Sequence, residues 1–504
     1  MIRILITISF IFSLQLKAQE FDSTAWKYAK TITSADLREH LNIIASDEYE
    51  GRETGKKGQK MAMEYLIKQF VSYGIEDVNG MNYKQRFPLI EQDNKGVNLV
   101  INGKEYKYNK DFTVTPSIIK KFELNDELIF VGYGIEEANY NSYEKLDVNG
   151  KAVLIWNGMP ENVETKRKWN ISEKIELAKM KGASAVFIYS DKLEESLVKF
   201  EHFYNKPKIS LVEQETEVQK EVPLITLTEK AAYDLLKSEK RKVKKIKKSG
   251  LKIKDAFKTS LRLSIDKPTD NYTSENVLAY IPGTDKKDEV LVITAHYDHL
   301  GKKGDIVYNG ADDDGTGTVS LLEIAEAFQL AIKAGNKPRR SILIMPVSGE
   351  EKGLLGSKYY SQNPVFPLEN TIANLNIDMI GRYDKAHEND SNYIYLIGSD
   401  RLSQELHDLS EKVNETYMNF GLDYTFNAED DPNRFYSRSD HYNFAKNGVP
   451  VIFYFSGVHE DYHKATDTVE KIDFDKTARV AQLVFLTAWH LANAEERIKL
   501  NEDN

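Results

Sequence analysis

The spacing of apolar positions changes period several times along this chain, and those changes mark its elements. Continuous apolar runs at Val290–Ala295, Ile342–Val347, Ile372–Ile377 and Val449–Phe455 have the length and composition of strands buried on both faces. Helical spacing takes over from about Thr318, and again in an amphipathic stretch from Asp475 to about Ala494. Strands alternating with helices predict an α/β/α sandwich around a mixed, mostly parallel central sheet. Near the start, Ser34–Ile75 predicts two helices flanking the loop Asp47–Gly55, with Leu41, Ile44, Met61, Tyr65 and Phe70 at helical spacings.

Between about Asn94 and Lys258 the pattern shifts to short strands at Glu127–Gly134, Lys151–Trp156 and Ala183–Tyr189, with one helix at Ser172–Lys181. The core sheet resumes only near Thr273. Residues 94–258 are therefore expected to form a smaller β-rich insertion, and 19–93 with 259–504 a discontinuous larger domain. A lysine-rich run, Lys237–Lys254, closes the insertion and reads as a solvated face.

Composition adds three constraints. A chain of 504 residues, 41% of them hydrophobic, can bury two cores, and a net charge of −10 argues against nucleic acid as a partner. Absence of cysteine excludes a disulfide framework and a lipid-attached thiol. At the N-terminus Arg3 precedes the apolar stretch Ile4–Leu16, and Ala18 stands just before Gln19, which is the pattern of a signal peptide spanning 1–18. The stretch is short for a membrane span. A bacterial periplasmic or secreted protein with no membrane attachment after cleavage is expected.

Candidate chemistry collects at the ends of the apolar runs. His296 follows the first, Glu350 and Glu351 the second, and Asp378 the third, where sites gather outside the carboxyl ends of strands in open α/β sheets. Asp313 lies in the Gly-rich loop Asp312-Asp313-Asp314-Gly315-Thr316-Gly317 before a helix, and His463 comes late in the chain. Such oxygen and imidazole ligands suit a pair of divalent ions of the zinc type, with one carboxylate bridging them. Adjacent glutamates need separate roles: Glu351 is assigned to metal and Glu350 to proton transfer. Asp298 is placed to accept the second imidazole N–H of His296. His299, on spacing, reads as a surface or loop residue rather than a ligand.

The segments Thr294–Gly301, Asn309–Gly317, Ser348–Ser357 and Asn376–Arg382 together resemble the secreted di-zinc aminopeptidases, a family that also includes glutamate carboxypeptidase. The resemblance implies His296 and Asp378 on one zinc, Glu351 and His463 on the other, Asp313 across both, and Glu350 as the general base. It also implies a cis peptide after Asp313, with Asp312 and Asp314 structuring the loop. Ser437–Phe444 is similar to the family's S-D-H-x-x-F helix start, although Ser439 could equally be an N-cap. Tyr462, beside His463, is a candidate hydroxyl donor to the developing oxyanion. Val131–Ile135, Asp147–Ile155 and Gly182-Ala183 resemble a protease-associated domain. The implied function is a secreted, zinc-dependent aminopeptidase acting on peptide substrates, with cobalt or manganese as substitute metals. A carboxypeptidase or dipeptidase on the same core is the main alternative; a glutaminyl-cyclase-type acyltransferase or a non-catalytic ectodomain is less consistent with the full ligand set.

Overall fold

In the computed structural model, residues 21–93, 95–115, 121–160, 163, 169–199, 207–212, 222–238, 257–388 and 390–502 are described. The expected signal peptide and residues 239–254 of the lysine-rich run lie outside them. The chain divides into two units, one made of Met1–Phe87 with Thr273–Asn504 and the other of Pro88–Tyr272.

The larger unit is built on an eight-stranded sheet. Its strands are β1 (Glu76–Asp77), β2 (Ala279–Ile281), β3 (Lys286–His296), β4 (Arg340–Val347), β5 (Thr371–Ile377), β6 (Tyr393–Ile397), β7 (Gly421–Asp423) and β8 (Val451–Phe455), in the spatial order β1-β2-β4-β3-β5-β8-β6-β7. The four central strands β4, β3, β5 and β8 are mutually parallel, while β2 and β6 pair antiparallel with their inner neighbours. The sheet is mixed and mostly parallel, as the apolar runs predict.

Both faces of the central strands are covered, which explains why these runs do not alternate with polar residues. Leu291, Ile293, Ile342 and Ile344 face helices α1 (Ser23–Ala29), α2 (Ser34–Ile44), α3 (Lys57–Tyr73), α4 (Gly317–Lys333) and, at the far end of the chain, α5 (Phe474–Asn493). Val290, Val292, Leu343 and Met345 face the other way, against Tyr360 and Phe444 from two short helices, Leu355–Gln362 and His441–Ala445. Each such fully buried aliphatic side chain contributes about 1.5–3 kcal/mol of transfer free energy. Side chains start the helices: Asp22 accepts from the Thr24 and Ala25 amides, Thr33 from Asp36, and Asp473 from Lys476.

Register sets the site. His296, the last residue of β3, pairs with Val347, the last of β4, and Ile377 at the end of β5 pairs with Tyr454. Every loop that leaves a central strand at its carboxyl end therefore starts from the same edge of the sheet.

The second unit holds its own eight-stranded sheet. A ten-residue antiparallel ladder between Lys121–Phe130 and Phe257–Asp266 carries it, beside a parallel set of Ala152–Ile155, Ala185–Ser190 and Leu224–Thr228. Its boundaries are wider than 94–258 at both ends, because that ladder recruits Phe257–Asp266 and Leu89–Gln92 pairs antiparallel with Lys208–Leu211. The expected strand at Glu127–Gly134 starts earlier and stops at Phe130, since Gly132 and Gly134 turn the chain through left-handed φ of 70° and 67°. The helix Ile171–Met180 opens with a capping box between Asn170 and Glu173. Among the described residues no helix is long and apolar enough to cross a membrane.

Candidate metal centre

All eight residues singled out for chemistry meet at the carboxyl edge of the central strands. Asp313 stands between two sets of donors. Its Oδ1 is 3.3 Å from His296 Nε2, which is itself 3.7 Å from Asp378 Oδ1. Its Oδ2 is 3.2 Å from His463 Nε2, which is also 3.2 Å from Glu351 Oε2. Donors bound tetrahedrally at about 2.0–2.1 Å from one zinc lie about 3.3 Å from each other. The separations of both sets, 3.2–3.7 Å, lie near that spacing, and buried Asp313 Oδ2 and Glu351 Oε1 lack hydrogen-bond partners. The donors fit two divalent ions with the Asp313 carboxylate reaching both.

The acidic triplet is held by backbone amides. The Asp313–Asp314 peptide is cis. Asp314 accepts from the amides of His296 (3.2 Å), Gly317 (3.0 Å) and Met379 (3.1 Å), tying β3 and the β5 loop to the start of α4. Asp312 accepts from the Gly381 amide and the Thr316 hydroxyl, which closes the loop. Gly317 cannot carry a side chain, because a Cβ there would stand 2.5 Å from Asp314 Oδ1 and 2.7 Å from the Ile377 carbonyl.

Three expectations are corrected. His296 Nδ1 donates not to the Asp298 side chain, whose nearer oxygen is 3.9 Å away, but to the Asp298 carbonyl at 3.0 Å. The Asp298 carboxylate instead accepts from the Thr54 hydroxyl at 2.5 Å and from the Glu350 amide at 3.3 Å, so it positions the glutamate loop. Ser439 caps no helix: the short helix begins at His441, and Ser439 Oγ donates to Asp378 Oδ2 at 2.7 Å while accepting from Asn376. His299, expected to be a surface or loop residue rather than a ligand, is fully buried, with Nδ1 2.9 Å from Glu351 Oε1 and 3.8 Å from Asp313 Oδ2.

Further supporting residues escaped sequence reasoning. Asp467 accepts from the amides of Asp312 and Asp313, and His459 Nε2 lies 3.3 Å from Asp312 Oδ2. Arg52 is fully buried and spends its guanidinium on four carbonyls: Ile44, Tyr297, Asn309 and Gly310. No sequence signal marked Arg52, because neither its burial nor its approach to a loop 258 residues later can be read from the chain.

A cleft opens onto His296, Asp313, Glu350, Asp378 and His463, walled by Met379, Phe435, Phe453, Phe455 and Val458. Glu350 Oε2 is 4.0 Å from His296 Nε2. Burial raises its carboxyl well above the ordinary range, and the neighbouring Glu351, Asp378 and Asp440 carboxylates push the same way. Asp440, which accepts from Ser357, is pushed up to about 7 by burial. At the rim, Arg438 donates to the Tyr462 hydroxyl at 3.2 Å, and the Tyr462 ring stacks on His463 at 3.8 Å.

Residues 276–488 match peptidase family M28, and residues 124–235 match the PA domain. The chain resembles M28 peptidases over the first of these segments and the PA domain over the second. Its M28 part is 30% identical over 269 residues to a probable zinc metalloprotease of Pyrenophora teres f. teres, covering 44% of this chain and 52% of that protein. It is 30% identical over 232 residues to a probable leucine aminopeptidase of Trichophyton verrucosum, covering 44% and 59%. The chain thus spans little more than half the length of these curated relatives. An aminopeptidase from Aneurinibacillus sp. strain AM-1 shares the fold, with a TM-score of 0.54 at 20% identity over 95% of this chain and 97% of that one.

Proposed function

We propose that the M28 domain is a zinc-dependent aminopeptidase that removes apolar N-terminal residues from peptides. The observation that carries this reading is the division of Asp313 between two donor sets, with His296 and Asp378 on one side and Glu351 and His463 on the other. Bound there, two zinc ions would supply Lewis acidity to the scissile carbonyl and acidify a water. Glu350 lines the cleft from a backbone anchored on Asp298, with its carboxylate 4.0 Å from His296 Nε2, a position that suits a group taking a proton from water and delivering it to the leaving amine. The Tyr462 hydroxyl, held by Arg438 beside His463, is oriented to donate to the oxygen of a tetrahedral centre. The wall of Met379, Phe435, Phe453 and Phe455 favours an apolar or aromatic side chain in the cleft. The apolar stretch after Arg3 supports export to the periplasm or medium.

Hydrolysis of aminoacyl-chromogenic substrates, before and after chelation and zinc restoration, tests the reading. Chelator-sensitive, zinc-restored release with a preference for apolar residues is expected. Silence across the panel with two zinc ions bound would reject it. In Glu350→Gln both metals are retained and turnover falls by about 10²–10⁴; wild-type rates in that variant would reject the role of Glu350. Arg438 favours a second reading, a dipeptidase that grips a substrate carboxylate, because a guanidinium at the rim pairs with a carboxylate in bidentate fashion. Preference for free over amidated dipeptides would select it.

A further inference from the structure

We propose that His299 is a fourth protein ligand of the second ion, so that the two metals are inequivalent: one enclosed by His299, Asp313, Glu351 and His463, the other open to the cleft. The proposal rests on the two-metal reading above and deepens it.

His299 lies where a ligand should. Its Nδ1 is 2.9 Å from Glu351 Oε1 and 3.8 Å from Asp313 Oδ2, bracketing the donor separation of about 3.3 Å expected around one zinc. The same Asp313 oxygen is 3.2 Å from His463 Nε2, and Glu351 faces His299 with one oxygen and His463 with the other. The two imidazoles thus approach the shared carboxylates separately, with ring centroids 6.0 Å apart and planes crossing at 67°.

The ring is fully buried, and neither nitrogen has a hydrogen-bond partner. The 2.9 Å approach to Glu351 is close but lacks the alignment of a hydrogen bond, leaving Nδ1, Asp313 Oδ2 and Glu351 Oε1 all unsatisfied around one point. Three unpaired buried polar atoms on one locus are costly unless a cation draws them together. The ring has little room to turn elsewhere. Gly310, at φ 55°, presses so close that a Cβ there would stand 2.5 Å from the imidazole, and the His299 amide is pinned to the Arg52 carbonyl at 3.1 Å.

The cleft distinguishes the two sites. His296, Asp313, Glu350, Asp378 and His463 line it; His299 and Glu351 do not. A zinc held by four protein donors is of the closed, structural kind, whereas three donors leave a position for water or substrate. The ion beside His296 and Asp378, next to Glu350, is then the exchangeable one that meets substrate. The ion behind it is retained more tightly and fixes the second oxygen of Asp313.

Cobalt titration of metal-free full-length protein tests this, with proton NMR of the histidine-labelled di-cobalt form. Two equivalents of unequal affinity are expected. The buried Nε2–H of His299 should give a slowly exchanging, hyperfine-shifted resonance that is absent in His299→Gln. That variant should weaken the tighter equivalent by about 100-fold or more, beyond the usual effect of losing an outer-shell partner, while the weaker one changes by less than about 3-fold. No such resonance in di-cobalt protein, or a tight equivalent unchanged in His299→Gln, overturns the proposal and leaves the two-metal site standing. Wild-type protein that takes up fewer than two cobalt ions overturns the two-metal reading itself.

Discussion

Removing the Arg52 guanidinium should loosen the metal centre from a distance. Arg52 donates from Nε to Tyr297 O (2.9 Å), from Nη1 to Ile44 O (2.9 Å) and Asn309 O (2.7 Å), and from Nη2 to Gly310 O (2.8 Å). One side chain thereby ties the end of α2 to the residue after His296 and to the loop that leads into Asp312–Asp314. Hydrogen bonds to a charged donor contribute about 1.5–3 kcal/mol each, so four amount to roughly 6–12 kcal/mol gross. Desolvating the guanidinium offsets a large part of this, and water entering the vacated space restores some bonds. A net loss of about 4–5 kcal/mol is expected for Arg52→Ala, and about 2–3 for Arg52→Lys, whose ammonium has three donors and cannot serve four carbonyls. At about 2 °C per kcal/mol for a unit of this size, Arg52→Ala should lower the melting temperature of the metal-free M28 unit by about 8–10 °C, and the lysine variant by about half as much. Calorimetry of metal-free protein reads the stability, and zinc titration reads the coupling to the site, where affinity should fall about 10–100-fold. An alanine variant melting within 2 °C of wild type, with unchanged zinc affinity, would show that other contacts hold these loops and that the four bonds contribute little.

The other predictions concern single groups. Because His296 Nδ1 donates to the Asp298 carbonyl, Asp298→Asn should leave zinc affinity within a few-fold, while Asp298→Ala, which strips the Glu350 amide of its acceptor, should lower kcat about 10–100-fold; a tenfold loss of zinc in the asparagine variant would restore the carboxylate to the tautomer role. Ser439→Ala removes the donor to Asp378 Oδ2 and should weaken the first metal about tenfold by competitive chelator titration, with the second unaffected. His441 is buried against Phe453, and burial depresses its pKa from 6.5 to about 3. Below about pH 6.5 the unfolded chain then binds a proton that the folded state refuses, so stability is level above that pH and falls by ~1.4 kcal/mol per unit as the pH drops toward 3. Denaturant melts of His441→Phe across pH 4–7 should show a shallower slope than wild type; equal slopes would place the titration elsewhere.

What the sequence by itself determined is local in origin. A strand covered on both faces must be apolar throughout, so the runs ending at His296, Val347 and Ile377 were legible without coordinates, and with them the edge where ligands gather. The order of chemical residues along those ends was legible too, whereas the loop-structuring roles of Asp312 and Asp314 came only from the family resemblance. Helix α5 was visible within a residue or so, because amphipathic spacing over twenty residues leaves little freedom. The tertiary structure decided which atom meets which. His299 follows His296 by only three residues, but the chain leaves β3 in a loop anchored on Arg52, and that path turns its ring inward to Glu351 rather than out to solvent. The same path aims His296 Nδ1 at a carbonyl and frees the Asp298 carboxylate for Thr54 and Glu350. Ser439 meets Asp378 across 61 residues of chain. Periodicity reports how a segment shares its surface between core and water; loop dihedrals and rotamers at a site are set by groups distant in sequence that converge only once the sheet has assembled.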